Sequence, residues 1–165
     1  ARSSYGDREK KLEILKDPHC GAFAVIRLCT YFLAYFCVAF CIRFSPRVGL
    51  CWTLALVLER GLSGLAVAAF PMAKNTGLAH TFATAADRES VQKILIVLSV
   101  LLAAALVALG GGALVAAALL MLWRYHHVAV KEFGGITGDL AGWFLQKAEF
   151  WMLAALAASQ WGGIL

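Results

Sequence analysis

The chain of 165 residues is 61% hydrophobic and 15% charged, with a mean hydropathy of +0.75. This composition excludes a disordered chain and an ordinary soluble domain, in which apolar residues make up about half of the sequence. The formal net charge of +5 bears first on membrane orientation and anionic ligands, and no segment is typical of a nucleic-acid-binding module. We therefore predict a single all-α, polytopic membrane domain over residues 1–165.

The first segment, residues 7–17, predicts a short amphipathic helix at the membrane interface. Leu12 and Leu15 are apolar and lie three residues apart, so they share a face. Asp7 is suited to the N-cap, and Pro18 is expected to stop the helix because proline cannot continue one.

Four apolar runs follow that are long enough to cross a bilayer, which takes about 20 residues. They cover residues 20–42, 48–72, 94–123 and 140–165. The third run would be about 45 Å long as one helix at 1.5 Å per residue. Three consecutive glycines at 110–112 interrupt it, so we predict a hairpin of two short helices and about five spanning helices in total.

The distribution of Lys and Arg tests this arrangement, because positively charged loops stay in the cytoplasm. With five helices, ten of these residues fall on the side of the N-terminal segment and two, Arg43 and Arg47, on the other. A single long helix over residues 94–123 would give eight and four. The hairpin therefore places every polar, glycine-containing motif on one face, which we expect to be cytoplasmic.

Two carboxylates in the first segment suggest metal chemistry. Glu13 and Asp17 are four residues apart, so on a helix their Cβ atoms would be about 6 Å apart on one face. One hydrated Mg²⁺, or the phosphate it holds, could bridge that separation. Acidic ligands mixed with cations suit a pyrophosphate substrate. The surrounding cations are Arg8, Lys10, Lys11 and Lys16. The alternative is a solvated interfacial helix with Glu–Lys pairs.

The sequence GGITGD, residues 134–139, directly precedes the last apolar run. Glycine turns at the start of a helix expose backbone N–H groups and favour anions. The residues predicted to bind phosphate in this turn are Gly134, Gly135, Thr137 and Gly138. The alternative, equally weighted, is that Thr137 or Asp139 is an N-cap behind a glycine turn.

Four ionisable residues are predicted at membrane depth, namely Glu59, Arg60, Lys147 and Glu149. Such groups usually face a polar cavity and indicate function. Lys147 is two residues from Glu149 and lies on a different face of the helix, so Glu149 needs a partner on another helix, or a cation. The alternative is an internal ion-pair network that fixes helix packing.

Three blocks, in order, carry a resemblance to a known family. REKKLEILKDPHCGAFAV, residues 8–25, is similar to the pattern R..(R/K)LEI(M/L)(K/R)D...G..G, with Ala24 replacing the second glycine. ERGLSGLAVAAFPMAKNTGLAHTF, residues 59–82, is similar to a middle block in which a helical arginine precedes a GLG-like turn. GGITGDLAGWFLQKAE, residues 134–149, is similar to GG.TGD..GA...E..E, with Gln146 replacing the first glutamate and Glu149 kept.

These blocks resemble the cobalamin synthase family, the adenosylcobinamide-GDP ribazoletransferases of the late vitamin B12 pathway. The resemblance implies a Mg²⁺-dependent transferase of the bacterial cytoplasmic (inner) membrane. That enzyme joins adenosylcobinamide-GDP and α-ribazole, or its 5′-phosphate, and releases GMP. The family's DGLADT.DG motif does not occur in this chain. We therefore expect an N-terminally truncated copy, the C-terminal part of a longer domain.

The residues and the resemblance together suggest a site at the cytoplasmic membrane surface. Glu13, Asp17 and Asp139 are predicted metal ligands, and Asp17 and Asp139 are also predicted catalytic carboxylates. The remaining predicted residues are Arg8, Lys16 and Arg60, which would steady phosphate charge, and Glu149 and Glu59, which would support the site from behind.

Two alternative functions stay open on the sequence alone. One is another membrane Mg²⁺-dependent phosphotransferase of the CDP-alcohol type, which uses similar aspartates. The other is a non-catalytic membrane subunit or a small transporter, although no inverted repeat relates the two halves of the chain. The sequence also leaves the oligomeric state open, and a homo-oligomer is one prediction.

Overall fold

A computed structural model describes residues 7–15, 17, 19, 21–73 and 88–165 of the chain. In this part of the chain we number six α-helices, and a π-helical turn follows the fifth. The helices are α1 (Arg8–Ile14), α2 (Ala22–Phe40), α3 (Pro46–Ala69), α4 (Arg88–Ala108), α5 (Gly112–Val128) and α6 (Gly138–Trp161), and the π-helical turn is Ala129–Phe133. The described residues contain no β-strand, so the predicted all-α class is confirmed.

Four helices among the described residues are long and apolar enough to cross a membrane. They are α2, α3, α4 and the continuous helix Gly112–Phe133, which is α5 with its π-helical turn. The polytopic architecture is therefore confirmed. The fifth predicted span, α6, has 24 residues but is not one of these four, so the count of five spans stays a prediction.

The predicted hairpin in residues 94–123 is confirmed. Helix α4 ends at Ala108 and α5 begins at Gly112, and Gly110 between them has a φ of 86°. A side chain at Gly110 would be strained at this φ, and its Cβ would lie 3.0 Å from Nη2 of Arg47. A single long helix is thereby excluded.

Successive helices alternate in direction, which gathers the loops at two ends of the bundle. At one end, Arg43 N–H donates to Gln160 Oε1 at 3.0 Å, and Gln160 Nε2 donates to the Arg43 carbonyl at 2.7 Å. Arg47 Nε donates to the Leu109 carbonyl at 3.0 Å at the same end. The opposite end, which we call the motif side, holds α1 and the turn between α5 and α6.

Two predicted boundaries are wrong. The first helix ends at Ile14 rather than at Asp17, although Asp7 is its N-cap as predicted and accepts a hydrogen bond from the Lys10 N–H at 3.1 Å. The helix that was expected to end at residue 123 continues to Val128 and then through the π-helical turn.

The continuation of α5 has a simple cause. Its buried residues recur at helical spacing, since Tyr125, Val128, Ala129 and Phe133 all face the core. Of the charged and polar residues between them, His126, His127 and Lys131 are exposed, and Glu132 is partly buried. This is the pattern of an amphipathic helix, and it outweighs the cluster of polar residues that suggested a loop.

The core lies among α3, α5 and α6. Tyr125 stacks on Phe144 with ring centroids 5.2 Å apart, and both rings are buried. By contrast, α2 has no buried residue and packs against α6 at the edge of the bundle. The buried core beneath the motif side is therefore formed by α3, α5 and α6.

Candidate functional site

Helix α1 lies against the glycine turn that precedes α6. The guanidinium of Arg8 covers Gly134, because a Cβ built at that glycine would lie 2.5 Å from Nη1 of Arg8. Lys11 Nζ also lies 3.5 Å from Glu132 Oε2 in the π-helical turn, and both side chains are largely buried. Two contacts thus hold the first sequence block against the π-helical turn and against the glycine turn that follows it.

The segment after α3 is paired with the same turn. Met72 and Ile136 form an isolated parallel bridge. The N–H of Ile136 donates to the Pro71 carbonyl at 2.8 Å, and the N–H of Ala73 donates to the Ile136 carbonyl at 3.0 Å. A Cβ at Gly135 would lie 2.5 Å from backbone atoms of residues 71–73, so only glycine permits this approach.

The three sequence blocks therefore meet on the motif side. Arg8 of the first block contacts the glycine turn through its side chain, and the middle-block segment that follows α3 contacts it through backbone hydrogen bonds. The rest of the middle block, residues 74–82, lies outside the described residues. Convergence of distant segments on one turn is what a binding or catalytic site requires, and these contacts supply its framework.

Most backbone N–H groups of the turn donate hydrogen bonds to carbonyl groups of the protein. Gly134 donates to the Val130 carbonyl at 3.1 Å and Gly135 donates to the Ala129 carbonyl at 2.9 Å. These glycines thus end the π-helical turn, with φ values of 78° and 155°. Phosphate binding by these glycines stays a prediction. In the structure their N–H groups bond to backbone carbonyls and end the π-helical turn.

Thr137 is the N-cap of α6, which is the alternative considered for this turn. Its side-chain oxygen accepts a hydrogen bond from the Leu140 N–H at 3.3 Å. The next two residues, Gly138 and Asp139, are exposed and occupy the first turn of the helix. N–H groups in a first turn have no intrahelical acceptor, so they remain the suitable donors for an anion.

Thr137→Ala is expected to lower the free energy of unfolding by about 1 kcal/mol, because the cap of α6 is lost. The measurement is thermal or denaturant unfolding of the purified protein in detergent. Thr53→Ala is the matched control, since the Thr53 hydroxyl donates to the Gly49 carbonyl inside α3 and caps nothing. Equal losses in both variants would contradict the capping role.

The expectation that Glu13 and Asp17 share one helix face is wrong. Glu13 is exposed on α1, but α1 ends at Ile14 and Asp17 lies beyond its C-cap. The Asp17 carboxylate accepts a hydrogen bond from the backbone N–H of His19 at 2.9 Å and lies 2.7 Å from Nδ1 of the same residue. The hydrogen bond from the backbone and then that from the ring hold the pKa of Asp17 below its usual value, which favours the ionised form.

Asp139 is an exposed acidic residue in the first turn of α6, close in sequence to the glycine turn. Within the described ranges, no three His, Cys, Asp or Glu side chains come together as a metal-binding group. The three predicted ligands are therefore not assembled into a protein-only site. Lys16, a predicted phosphate contact, lies outside the described residues.

Three of the four charged groups predicted at depth, Glu59, Arg60 and Glu149, form a separate cluster on α3 and α6, which pack against each other. Glu59 is fully buried, and neither carboxylate oxygen has a hydrogen-bond partner among the described residues. Arg60 Nε lies 3.5 Å from Glu59 Oε1, while 63% of the Arg60 side chain is exposed. Buried ionisable groups in membrane helices usually indicate function.

The predicted partner of Glu149 on another helix is found. Tyr35 of α2 donates its hydroxyl to Glu149 Oε1 at 2.8 Å. Glu149 is eleven residues after Gly138, so it lies about 16 Å along α6 from the start of that helix. The deep cluster is thus distinct in position from the glycine turn, and the structure does not bring Arg60 to that turn.

Comparison with known proteins decides the family. Residues 1–157 match the sequence model of the family described as Cobalamin-5-phosphate synthase. The chain belongs to this cobalamin synthase family.

Curated relatives of the family agree with this assignment. An "Adenosylcobinamide-GDP ribazoletransferase" from Lachnoclostridium phytofermentans is 40% identical over 160 residues, covering 95% of this chain and 60% of the relative. Proteins of the same name from Pseudomonas syringae pv. tomato and a Geobacillus species are 30% and 31% identical. Those alignments cover 93% and 90% of this chain, and 62% and 59% of the relatives.

The chain spans about three fifths of the length of the curated relatives it matches. The resemblance to the family is confirmed over nearly all of the chain. No solved structure matches it. The positions of family motifs in this chain therefore rest on the contacts described above.

Several contacts of the framework were not predicted from the sequence. They involve Lys11, Glu132, the segment 71–73 and Tyr35. The Lys11–Glu132 pair joins residues 121 positions apart, and neither residue carries a local signal of the other. Tyr35 could have been suspected, because a hydroxyl within an apolar span needs an acceptor.

Proposed function

We propose that the intact protein is a membrane-bound cobalamin synthase. It joins adenosylcobinamide-GDP to α-ribazole or α-ribazole 5′-phosphate and yields adenosylcobalamin or its 5′-phosphate together with GMP. In this reaction a ribose hydroxyl attacks the phosphate attached to cobinamide, the hydroxyl proton is removed, and the phosphoanhydride bond to GMP breaks.

The observation that carries the proposal is the convergence of the three family blocks on one turn. Relatives named for this reaction align with nearly the full length of the chain, which includes all three blocks. In this structure Arg8, Met72 and Ile136 belong to three different blocks and lie together. A shared framework at the motif side is expected when the blocks build one active site.

The chain's own residues support a division of tasks in this reaction. Asp139 lies at the start of α6, where it can hold a metal or accept the proton of the attacking hydroxyl. Hydrogen bonds from His19 lower the pKa of Asp17, and Asp17 is proposed as a second metal ligand or proton acceptor. Arg8 lies against Gly134 and steadies phosphate charge, and Lys16 is proposed to do so beside it.

Mg²⁺ is proposed as the cofactor. It is usually bound through one or two carboxylates, several waters and the substrate's phosphates, so it does not need a protein-only cage. Glu13, Asp17 and Asp139 are carboxylates exposed on or near the motif side and fit such a shared arrangement. When bound, the ion offsets the charge of the pyrophosphate group.

Glu59 and Glu149 are proposed to support the site from deeper in the helix bundle, without contacting substrate. Both belong to family blocks. Tyr35 joins α2 to Glu149 of α6, and α6 packs against α3, which carries Glu59. Arg60, whose Nε lies 3.5 Å from Glu59 Oε1, is proposed to offset negative charge in this cluster.

We propose residence in the bacterial cytoplasmic membrane with the motif side facing the cytoplasm. The excess of Lys and Arg on the motif side supports this orientation. Self-association into a homo-oligomer stays a prediction from the sequence.

The proposal predicts that membranes containing the intact gene product release GMP when given adenosylcobinamide-GDP and α-ribazole. Chelation of Mg²⁺ with EDTA should abolish the release, and added Mg²⁺ should restore it. Chromatography of the nucleotide and corrinoid products is the measurement, with membranes lacking the protein as the control. Inserted protein that forms neither GMP nor the joined corrinoid would contradict the proposed function.

A further inference from the structure

A groove of about 720 Å³ lies between α2 and α6 on the half of the bundle nearer the motif side. The end of α5 forms its third wall. Three cations line it, each from a different helix, namely Arg27 of α2, Arg124 of α5 and Lys147 of α6. None of the described residues that line it is Asp or Glu.

No acidic side chain among the described residues forms an ion pair with these cations. Lys147 Nζ lies 5.9 Å from the centroid of the Tyr31 ring, a contact that favours a cation without removing its charge. The groove therefore holds three like charges with no counter-charge from its lining.

Convergence of like charges beside lipid is unfavourable, because their repulsion is weakly screened where the dielectric constant is low. An isolated Arg or Lys near a helix end lowers this cost by extending toward the headgroups. Three cations that line one concave surface are different, since an anion placed among them offsets all three charges. The charge of the groove thus indicates an anionic ligand.

The order of residues along the groove identifies the class of anion. Arg27 is five residues into α2, about 7 Å along its axis, and Lys147 is nine residues into α6, about 13 Å along its axis. Beyond them the lining becomes apolar, at Ala34 and Phe150, which lie about 18 Å along the two helices. A ligand that fits has a phosphate at one end and a hydrocarbon chain at the other.

We propose that this groove binds an anionic glycerophospholipid, with its phosphate among Arg27, Arg124 and Lys147. Arginine forms paired hydrogen bonds with phosphate oxygens, and basic pockets between membrane helices suit acidic headgroups. One acyl chain runs past Tyr31 toward Phe150. This site does not depend on the proposed transferase activity, because none of the three cations belongs to the predicted reaction site.

Native mass spectrometry tests the proposal on the intact gene product in detergent. The protein is offered an equimolar mixture of phosphatidylglycerol and phosphatidylcholine. We expect it to retain phosphatidylglycerol selectively. The combined variant Arg27→Gln, Arg124→Gln and Lys147→Gln should bind that lipid about 100-fold more weakly, since each cation near a membrane surface contributes a several-fold factor.

Two further variants distinguish the loss of positive charge in the groove from a general effect on folding. The charge-conserving variant Arg27→Lys, Arg124→Lys and Lys147→Arg should keep most of the affinity for phosphatidylglycerol. Removal of three exposed cations outside the groove should leave that affinity within about twofold. The substitutions of this control are Lys10→Gln, Arg43→Gln and Lys93→Gln. An equal loss in the control and the groove variant would overturn the proposal.

Inorganic pyrophosphate distinguishes a lipid from a soluble phosphate compound. At millimolar concentration it should not displace phosphatidylglycerol, because it has no hydrocarbon chain for the apolar end of the groove. Displacement at that concentration would assign the groove to a soluble phosphate ligand and overturn the lipid assignment. Retention of phosphatidylcholine as strongly as phosphatidylglycerol would overturn it as well.

Discussion

Asp139→Asn is expected to lower the rate of GMP release by about 100-fold or more, a loss typical of removing a catalytic acid or base. Asparagine keeps the size of the side chain but lacks the negative charge that would hold Mg²⁺ or accept a proton. Asp139 is exposed at the start of α6, so the substitution should not disturb the core. The measurement is turnover by membranes normalised to the amount of inserted protein.

Glu89→Gln is the matched control for this experiment. Glu89 is also an exposed carboxylate in the first turn of a helix on the motif side, and it pairs with Lys93 at 2.8 Å. An exposed pair of this kind contributes little to stability, so turnover should stay within about twofold. Unchanged turnover in Asp139→Asn, with normal insertion, would remove Asp139 from the catalytic site.

The large elements of the fold follow from the sequence because their signals are local. Apolar runs of about 20 residues fix the spanning helices. The glycine triplet fixes the hairpin, where Gly110 has a positive φ. Asp7 and Thr137 act as N-caps, which a polar residue before a helical pattern predicts.

The errors arose where tertiary contacts outweigh local composition. Polar residues after position 123 suggested a loop, but buried Tyr125 and Phe133 keep that segment helical against the core. A spacing of four residues suggested that Glu13 and Asp17 share a face, but α1 ends before Asp17. A spacing of four residues places two side chains on one helix face only when both residues belong to the helix.

The candidate site was predictable as a set of residues but not as an arrangement. Sequence blocks named the glycine turn and the acidic residues, whereas the pairing of residues 71–73 with Ile136 depends on two backbone segments about 65 positions apart. No residue-level signal marks such a bridge. Gly135 was predicted to bind phosphate, but its described contacts are with the protein backbone.

These backbone contacts explain why the turn contains two consecutive glycines. Arg8 covers the first glycine, and the segment 71–73 covers the second. A side chain at the second position would push apart two backbone segments, and one at the first would displace the Arg8 guanidinium and be strained at a φ of 78°. The glycines therefore allow Arg8 and the segment 71–73 to lie close to the turn.

Gly135→Ala is expected to lower the free energy of unfolding by about 3 kcal/mol or more, which is large for one methyl group. The new Cβ would lie 2.5 Å from the Ala73 nitrogen, the Met72 carbonyl carbon and the Pro71 oxygen, which are backbone atoms and cannot move aside as a side chain can. The φ of 155° at this position adds strain for any residue other than glycine. Thermal unfolding in detergent measures the loss, and GMP release should fall with it because the bridge between Met72 and Ile136 opens.

Gly142→Ala is the control, since Gly142 is exposed within α6 and a Cβ there would meet nothing within 4 Å. Alanine should stabilise this helix by about 0.5–1 kcal/mol, because it loses less conformational freedom than glycine on folding. The two substitutions add the same methyl group seven residues apart. If Gly135→Ala lowers the free energy of unfolding and Gly142→Ala raises it, the loss at Gly135 comes from the close backbone contact and not from helix propensity. If Gly135→Ala is as well tolerated as Gly142→Ala, the pairing of residues 71–73 with the glycine turn does not hold the site together.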